Sequence, residues 1–343
     1  MALAERLSRE LQREWISGGP LSQLLRPLAA LYGGLLALRS LFYSWGWLKT
    51  AALPVPVIVV GNWIVGGAGK TPTTLALLAL LKARGIRAGV ISRGYGRDGD
   101  EVRLVSRTSS AREAGDEPLL IHLRSGVPVA VGRDRVAAAQ TLLAAHPDTQ
   151  ILVSDDGLQH WRLPRSLAVL VFDERGIGNG RLLPAGPLRQ PPRGELQSGE
   201  IVLYNAARPS TALPGALARR GLGGAVRIDD WWAGRPASQD LLQALRGRPL
   251  LAVAGMAQPQ RFFDMLREQD LAIDTLALPD HYDFAALPWP AGTPDVVLTE
   301  KDAVKIDPAR CATTRVWVVT LDFQPEQAFE QQLAEHFARL LPT

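Results

Sequence analysis

Apolar residues occur along this chain in two patterns, as short continuous runs and as stripes at helical spacing. Continuous runs rich in β-branched residues are typical of strands buried in a parallel sheet. They predict strands at 55–60, 87–92, 127–132, 151–155, 168–173, 200–205, 249–254, 271–277, 295–299 and 315–321. Helical spacing separates several of them, for example at 72–84 and 133–145, and residues 324–341 predict a final amphipathic helix. This alternation predicts an α/β fold whose parallel sheet carries helices on both faces.

Residues 1–50 follow a different pattern. An apolar residue recurs at every fourth position, with charged residues between, which predicts an amphipathic helix. These residues are Leu3, Leu7, Leu11 and Trp15. Residues 27–38 are uncharged and residues 40–48 are rich in aromatic side chains, but each stretch is shorter than the ~20 residues that a spanning helix needs. Arg39 between them would cost ~2.5–3.5 kcal/mol in a bilayer core. Helices lying on a bilayer, or a hairpin packed on the main domain, are therefore favoured over a transmembrane span.

Composition and charge exclude several classes of protein. The single cysteine, Cys311, excludes an intramolecular disulfide framework and a metal site built of several cysteines. None of the five histidines is spaced as HxxxH, which argues against a zinc hydrolase. The net charge of +4, from 38 basic and 34 acidic residues, is a mild excess that argues against nucleic acid as a partner.

A glycine-rich segment follows the first predicted strand and precedes a predicted helix. It reads Gly66-Gly67-Ala68-Gly69-Lys70-Thr71-Pro72. This is the context that a phosphate-binding loop (P-loop) requires, because glycines let backbone N–H groups approach phosphates at the positive end of the helix dipole. In such a loop Lys70 reaches the β- and γ-phosphates of a nucleotide, the Thr71 hydroxyl ligates Mg²⁺, and Pro72 fits the first helical turn.

Two positions depart from the usual P-loop patterns. The consensus G-x-x-x-x-G-K-T has glycine where this chain has Ile64. The spacing Gly-Gly-x-Gly-Lys-Thr is similar to that of the deviant P-loop ATPases, which carry a second lysine where this chain has Val65. A glycine-rich turn that binds no nucleotide remains the alternative.

Two adjacent carboxylates, Asp155 and Asp156, end the strand predicted at 151–155. An aspartate at the carboxyl end of a parallel strand lies on the side of the sheet where ligands bind. Nucleotide-bound Mg²⁺ is held by one or two carboxylates, so the pair is predicted to serve the metal. The alternative is a turn or helix cap, because Asp-Asp-Gly is also a turn sequence.

The chain length suggests about two domains at ~150 residues each. Residues 1–50 are predicted to form the N-terminal amphipathic helices, and residues 51–206 a P-loop core. Residues 207–323 are predicted as a second, smaller α/β domain that begins with a crossover at 207–224, where Pro, Gly, Ala and Arg predominate. Residues 324–343 are predicted as a C-terminal helix that packs back on the core. A ligand is expected in the cleft between the two domains.

Further motifs occur in order along most of the chain. They are Gly61-Asn62, Ser92-Arg93-Gly94-Tyr95-Gly96-Arg97, Gly115-Asp116-Glu117-Pro118, Asp155-Asp156-Gly157-Leu158-Gln159-His160, Leu183-Pro184-Ala185-Gly186-Pro187-Leu188-Arg189, Ala254-Gly255-Met256, Asp280-His281-Tyr282-Asp283-Phe284 and Thr299-Glu300-Lys301-Asp302-Ala303-Val304-Lys305. Together with the glycine-rich loop, this set resembles the tetraacyldisaccharide 4′-kinase family of lipid A biosynthesis. The resemblance makes residues 51–206 a P-loop kinase core.

The resemblance implies an enzyme that transfers the γ-phosphoryl group of ATP, with Mg²⁺, to the 4′-hydroxyl of a tetraacyldisaccharide 1-phosphate. It implies a peripheral, monotopic location at the cytoplasmic face of the inner membrane, with the amphipathic N-terminus against the lipid surface. It identifies no protein partner. In the family an Asp and a His pair as a general-base dyad, here Asp116 and His281, and Lys70 also takes part in catalysis. A base suits this chemistry because a sugar hydroxyl has a high pKa and must lose its proton as it attacks.

Other residues are expected to contact the substrate or its phosphate. They are Arg93, Tyr95, Glu117, Arg135, His160 and Arg189. A structural role for His160 and a turn-filling role for Tyr95 remain alternatives. Gln190 stands where the family usually has Glu, and is expected to serve the metal. An amide oxygen can still ligate Mg²⁺, but the change removes one negative charge.

Two other functions account for parts of the sequence. One is a membrane-associated P-loop ATPase that acts as a switch on a protein partner, against which Val65 argues. The other is a GTPase that reads guanine with the Thr299-Glu300-Lys301-Asp302 segment, although that segment lacks the usual Asn. Dependence of ATP turnover on a lipid acceptor tests the first function, and competition of GTP against ATP tests the second.

Overall fold

The computed structural model describes residues 11–16, 18–311 and 313–341. The strands are β1 (Val57–Gly61), β2 (Ala88–Ser92), β3 (Arg103–Val105), β4 (Val129–Val131), β5 (Ile151–Asp155), β6 (Leu167–Phe172), β7 (Glu200–Tyr204), β8 (Ala216–Arg227), β9 (Leu250–Ala254), β10 (Ile273–Ala277), β11 (Asp295–Thr299) and β12 (Arg315–Pro325).

The helices alternate with these strands. They are α1 (residues 11–16), α2 (Pro20–Leu24), α3 (Arg26–Ser44), α4 (Lys70–Ala83), α5 (Ala111–Ala114), α6 (Asp116–Ser125), α7 (Arg135–Ala145), α8 (Ile228–Trp232), α9 (Gln239–Gln243), α10 (Pro259–Arg267), α11 (Glu300–Ala303) and α12 (Gln327–Leu340), with a 3₁₀ turn at Pro308–Cys311. The predicted α/β class is therefore confirmed, but the prediction of a wholly parallel sheet is wrong, because two of the neighbouring strand pairs are antiparallel.

The strands form one mixed sheet in the order β10-β9-β11-β12-β8-β7-β6-β1-β5-β2-β4-β3. From β7 to β4 all neighbours are parallel, and β3 closes that edge antiparallel to β4. The second half, from β12 to β10, is also parallel. The long strand β8 joins the halves, because it begins parallel to β7 and continues antiparallel to β12.

The crossover predicted at 207–224 is wrong in part, because residues from Ala216 onward belong to β8. Gly221, Gly223 and Gly224 lie within this strand, and glycine is depleted in strands, so the local sequence gives little sign of it. Pairing with β12 along nine residue pairs, from Ala218–Pro325 to Arg227–Trp317, supplies the hydrogen bonds that local propensity lacks.

Both faces of the central strand β1 are covered, as the continuous apolar run predicted. Successive side chains of a strand point to opposite faces. Ile58 and Val60 belong to a core cluster with the apolar residues of α4, whereas Val57 and Val59 belong to a second cluster with those of α7. The C-terminal helix α12 buries Phe329 in the cluster that contains α4.

The N-terminal helices attach to the loop that contains the Pro184–Arg189 motif. Trp15 Nε1 donates to the Pro184 carbonyl at 2.9 Å, and Tyr32 Oη donates to the Arg189 carbonyl at 2.9 Å. The outer face of α2 and α3 exposes a row of leucines: Leu24, Leu28, Leu31, Leu35, Leu38 and Leu41. Of the predicted amphipathic stripe, Leu3 and Leu7 lie outside the described residues. No helix within the described ranges is long and apolar enough to span a membrane.

Candidate active site

The glycine-rich loop connects β1, which ends at Gly61, to α4, which begins at Lys70. Gly66 and Gly69 have φ angles of 95° and 94°, in the left-handed region that favours glycine. A Cβ on Gly69 would also lie 1.8 Å from Asn205 Nδ2, so a side chain has no room there. The loop therefore brings backbone groups and the N-terminus of α4 to the carboxyl end of β1, an arrangement that suits an anion.

Lys70, the first residue of α4, lies beside the carboxylate of Asp156. The Lys70 Nζ is 3.8 Å from Asp156 Oδ2 and donates to the Gly66 carbonyl at 3.3 Å. Arg189 donates to both Asp156 oxygens, at 3.0 and 3.3 Å, and to the Asn62 side chain. Burial alone would raise the pKa of Asp156, but the charges of Lys70 and Arg189 hold it below its usual range. Lys70 of the glycine-rich loop and Arg189 of a distant motif thus meet around one ionised carboxylate.

Asp155, the last residue of β5, is fully buried and accepts a hydrogen bond from Thr74 Oγ1 at 3.1 Å. Burial, with the nearby negative charges of Glu117 and Asp156, raises the pKa of Asp155 to about 7. A carboxylate that is costly to ionise in this way favours a neighbouring cation. The described residues contain no cluster of three or more His, Cys, Asp or Glu that could hold a metal by itself. This donor set fits Mg²⁺, which in nucleotide sites binds to one or two carboxylates and takes its other ligands from phosphate and water.

Asp116 and His281 are brought together from opposite halves of the sheet. Asp116 begins α6, His281 follows β10, and His281 Nδ1 is 2.9 Å from Asp116 Oδ2. Burial would raise the pKa of Asp116, but the hydrogen bond from His281 and the charge of Lys301 outweigh it and lower that pKa. The bond to Asp116 raises the pKa of His281, although burial works in the opposite direction. The Glu117 backbone N–H donates to the other Asp116 oxygen at 2.9 Å, so the carboxylate is fixed at both ends.

Lys301 and Tyr95 surround this pair. Lys301 Nζ, on α11, is 3.5 Å from a carboxylate oxygen of Glu117 and 3.5 Å from one of Asp280. The Tyr95 ring centroid is 5.5 Å from that of His281, and Tyr95 is 65% exposed. Tyr95 therefore presents an open aromatic surface next to the pair.

Arg135 and His160 lie together behind the acidic residues. Arg135 is buried and donates to the Gly132 carbonyl at 2.8 Å; burial lowers its pKa to about 10, while the charges of Asp156 and Asp155 oppose this. Burial and the Arg135 charge lower the pKa of His160. Arg135 Nε and His160 Nε2 are buried without a hydrogen-bond partner among the described residues. Buried polar atoms are nearly always hydrogen-bonded, so these two nitrogens are expected to bond to a group from outside the described residues.

The remaining expected residues lie at the edges of this region. Arg93 and Tyr95 line an open cavity of about 210 Å³, together with Arg133. Gln190 accepts a hydrogen bond through Oε1 from Gln159 Nε2 at 3.2 Å. Gln159 Nε2 also donates to the Asn62 carbonyl at 3.1 Å, next to the contacts of Arg189.

The residues that hold the glycine-rich loop in place lie outside the motifs that predict the site. Asn205 Nδ2 donates to the Ala68 carbonyl at 2.9 Å, and Arg220 Nε donates to Asn205 Oδ1 at 2.5 Å. Arg175 donates to the Gly67 carbonyl at 3.0 Å and forms a 2.8 Å ion pair with a buried aspartate, Asp173. The position of Asn205, directly after strand β7, is a signal that could have been used, because Asp155 ends β5 at the same edge.

An α/β sheet that holds a glycine-rich loop, paired aspartates and a carboxylate–histidine pair in one region has the parts of a phosphotransferase, the class that includes kinases. The family model for tetraacyldisaccharide-1-P 4′-kinase matches residues 21–338. The chain therefore belongs to the tetraacyldisaccharide-1-P 4′-kinase family, as its motifs predicted.

Individual relatives agree over nearly the whole chain. The tetraacyldisaccharide 4′-kinase of Methylibium petroleiphilum is 55% identical over 337 residues, which cover 97% of this chain and 94% of the relative. That of Leptothrix cholodnii is 53% identical and covers 96% of each chain. A crystal structure of LpxK from Aquifex aeolicus, an "apo" form in complex with ATP, matches with a TM-score of 0.77 at 28% identity, over 94% of this chain and 99% of that one.

Proposed function

We propose that this protein transfers the γ-phosphoryl group of ATP to the 4′-hydroxyl of tetraacyldisaccharide 1-phosphate, as the names of its relatives describe for them. The hydroxyl oxygen forms a bond to the γ-phosphorus, and the bond from that phosphorus to the β-γ bridging oxygen breaks. ADP leaves with the bonding electron pair. The hydroxyl proton passes to the Asp116–His281 dyad, and the product carries phosphates at positions 1 and 4′.

The observation that carries this proposal is the 2.9 Å contact between His281 Nδ1 and Asp116 Oδ2. A glycine-rich phosphate loop is common to ATPase switches and kinases, whereas a dyad that takes a proton serves a hydroxyl acceptor. The negative charge of Glu117, the neighbour of Asp116, helps to raise the pKa of Asp155. The dyad and the acidic pair therefore belong to one region. That proximity supports attack by an acceptor hydroxyl at the dyad on a γ-phosphate bound at the glycine-rich loop.

The loop residues Gly66, Gly67, Ala68, Gly69, Lys70, Thr71 and Pro72 are proposed to bind the phosphates of ATP. Lys70 neutralises charge on the β- and γ-phosphates, and its ion pair with Asp156 holds it there. Thr71, Asp155, Asp156 and Gln190 are proposed to hold Mg²⁺, with Gln190 as a neutral ligand. When bound, the ion supplies positive charge against the phosphate oxygens.

The substrate is proposed to lie over the dyad, between the two halves of the sheet. Tyr95, with its exposed ring beside His281, provides a surface for the disaccharide. Arg93, Arg135 and Arg189 are proposed to balance phosphate charge, and Glu117 to position Lys301 near the dyad. His160, whose Nε2 has no hydrogen-bond partner among the described residues, is also proposed to contact the substrate.

We also propose that the protein is a monotopic enzyme of the cytoplasmic face of the inner membrane. The exposed leucine row of α2 and α3 supports this location, since an apolar face of this kind binds at a lipid surface. Trp15 and Tyr32 contact the loop that contains Arg189, so the same helices connect the lipid surface to the candidate site. A glycolipid substrate could then enter without leaving the bilayer.

Transfer of labelled γ-phosphate from ATP to purified tetraacyldisaccharide 1-phosphate tests the proposal directly. We expect a doubly phosphorylated lipid that forms only with acceptor, ATP and Mg²⁺ present. Asp116→Ala should lower turnover by about 10²-fold or more while ATP binding changes little, because the dyad acts on the acceptor. A native protein that transfers no label, with a known 4′-kinase active in the same assay, would overturn the proposal, and ATP turnover that needs a protein instead of the lipid would favour a switch.

A further inference from the structure

A cavity of about 410 Å³ lies where the end of α3 meets the segment after β5. We call it the α3-end cavity, and its lining residues are Tyr43, Thr50, Trp161, Leu163, Pro164 and Arg165. Two hydrogen bonds hold its walls together, from Thr50 Oγ1 to the Trp161 carbonyl at 3.2 Å and from the Ala51 N–H to the Arg162 carbonyl at 2.8 Å. Its volume is in the range of small-ligand sites, and none of its lining residues has a part in the proposed phosphoryl transfer.

Positive charge surrounds this cavity. The Arg39 guanidinium lies 5.0 Å from the Trp161 ring centroid and 5.9 Å from that of Tyr43, which are cation–π distances. Arg165 lines the cavity itself, and partial burial lowers its pKa, although the Glu200 charge opposes this. Within the described part of the chain, neither Arg39 nor Arg165 forms an ion pair with a carboxylate, and no acidic residue lines the cavity. These features favour an anionic ligand.

The cavity adjoins the exposed apolar row of the N-terminal helices. Leu38 directly precedes Arg39, and Leu41 lies two residues before Tyr43. Trp45 and Trp47 follow, with 59% and 70% of their surface exposed. Exposed tryptophans beside leucines are typical of the boundary between the acyl chains and the headgroups of a bilayer. Arginines beside that boundary lie where lipid phosphates are found.

We propose that the α3-end cavity binds the phosphate of an anionic glycerophospholipid of the surrounding bilayer. Arg39 and Arg165 contact the phosphate, and Trp161 and Tyr43 form the walls. This proposal rests on the proposed membrane location. The bilayer lipid is favoured over the substrate's phosphates because the arginines proposed to contact the substrate lie outside this cavity. Arg189 forms an ion pair with Asp156, and Arg93 lines a separate cavity.

Vesicle sedimentation tests the proposal with full-length protein. The probes are vesicles of phosphatidylcholine and of phosphatidylcholine mixed with phosphatidylglycerol. We expect the native protein to bind the mixed vesicles more tightly, and Arg39→Gln and Arg165→Gln each to reduce that binding by about fivefold, the ratio that ~1 kcal/mol represents. Arg165→Lys should reduce it too, because lysine lacks the planar fork that pairs with phosphate.

Arg235→Gln is the matched control, because it removes one charge from an exposed arginine that lies after α8, outside the cavity. We expect this variant to bind both kinds of vesicle as the native protein does. Thermal unfolding of Arg39→Gln and Arg165→Gln should match that of the native protein, since neither arginine forms an ion pair within the described residues. Arg235→Gln removes an exposed 2.9 Å ion pair with Asp230, and an exposed pair of this kind contributes little stability.

Any of three results would overturn the proposal. The first is that Arg165→Lys binds mixed vesicles as tightly as the native protein does, and the second is that Arg235→Gln loses as much vesicle binding as Arg165→Gln. Either would show that general charge attraction accounts for the binding. An increase in the KM for disaccharide substrate in non-ionic detergent micelles on Arg39→Gln or Arg165→Gln would assign the cavity to the substrate instead. Because vesicle binding is measured without ATP or substrate, failure of the proposed kinase activity would leave the vesicle result unchanged.

Discussion

His281 Nδ1 lies 2.9 Å from Asp116 Oδ2, although 165 positions separate the two residues in the chain. Asp116 begins a helix beside the first half of the sheet, and His281 lies in the loop after β10 in the second half. The pair therefore forms only when both halves are folded on either side of β8. Its two pKa values move apart, that of Asp116 down and that of His281 up, as expected of an aspartate–histidine pair.

The first prediction concerns the pH dependence of this dyad. Below the raised pKa of His281 the pair already holds a proton and cannot accept another, so kcat/KM should fall as pH falls through that value. The acid limb should therefore lie above the ordinary histidine value of 6.5. NMR titration of the imidazole should give the same pKa, and Asp116→Asn should lower it, because the ring loses its carboxylate acceptor.

His336 on α12 is the internal control for that titration. Burial lowers its pKa, and it should titrate identically in native protein and in Asp116→Asn. A His281 that titrates at or below 6.5 in the native protein would contradict the dyad.

The second prediction contrasts the adjacent carboxylates Asp155 and Asp156. In the folded protein the pKa of Asp155 is about 7, above its usual value of 3.8. Ionisation of Asp155 therefore destabilises the folded state, and the protein loses stability as pH rises through that range. Asp155→Asn should therefore raise the free energy of unfolding, in EDTA at pH 8, by about 1–3 kcal/mol, with the gain vanishing towards pH 4. Asp155→Asn and the corresponding change at the neighbouring carboxylate, Asp156→Asn, should both lower phosphoryl transfer.

Asp156→Asn is the matched control, because the pKa of Asp156 is lowered by Lys70 and Arg189 and its charge contributes stability above pH 3.8. This variant should be less stable than native protein at pH 8, measured by denaturant unfolding. If Asp155→Asn were less stable than the native protein at pH 8, the native Asp155 carboxylate would already be stabilised by neighbouring groups, and the prediction would be wrong.

The third prediction concerns the support of the glycine-rich loop. Asn205→Asp keeps an acceptor for Arg220 but loses the Nδ2–H that binds the Ala68 carbonyl. The loop should then hold phosphates less well, and the KM for ATP should rise by about tenfold, the effect of one unsatisfied buried hydrogen bond. The KM for the lipid should change little. Steady-state kinetics with each substrate varied in turn measures both.

Arg220→Gln is the companion variant, because it leaves the bond between Asn205 and Ala68 intact. Its KM for ATP should rise less than that of Asn205→Asp. Equal increases in the KM for ATP and for lipid in Asn205→Asp would argue for a general loss of structure.

The fourth prediction concerns Gln190, which stands where glutamate is usual in the family. A glutamate can accept the same hydrogen bond from Gln159 and adds one negative charge near Asp156 and Arg189. Gln190→Glu should therefore lower the Mg²⁺ concentration for half-maximal activity severalfold. Gln243→Glu, on the exposed surface of α9, adds the same charge elsewhere and should leave that concentration unchanged. An identical Mg²⁺ requirement in native protein and Gln190→Glu would remove Gln190 from the metal site.

Much of the fold could be predicted because its strongest elements depend on local patterns. The run before Gly61 reads as a buried strand and forms one, and the helix after Lys70 follows from apolar spacing. The strand β8 could not be read in this way, since its glycines disfavour a strand and its stability derives from pairing with β12, about a hundred residues later. Long-range pairing of this kind leaves little local signal.

The candidate residues divide in the same manner. Lys70, Thr71 and Asp155 could be named from spacing, because loop and strand chemistry is local to the chain. Asn205 and Arg175 could not, because their contacts with the glycine-rich loop span more than a hundred positions. Their role depends on the sheet topology, which places the ends of β6 and β7 next to the glycine-rich loop.

By itself, the sequence determined the α/β class and the glycine-rich turn between strand and helix, because both rest on residue types at fixed local spacing. The family was indicated by the resemblance of a set of motifs that occur in order along most of the chain. Only the tertiary structure decided that one continuous sheet joins the two halves through β8 and that His281 reaches Asp116. It also decided that Asp155 and Asp156 have opposite pKa shifts, because burial and the charges of distant residues set a carboxylate's ionisation.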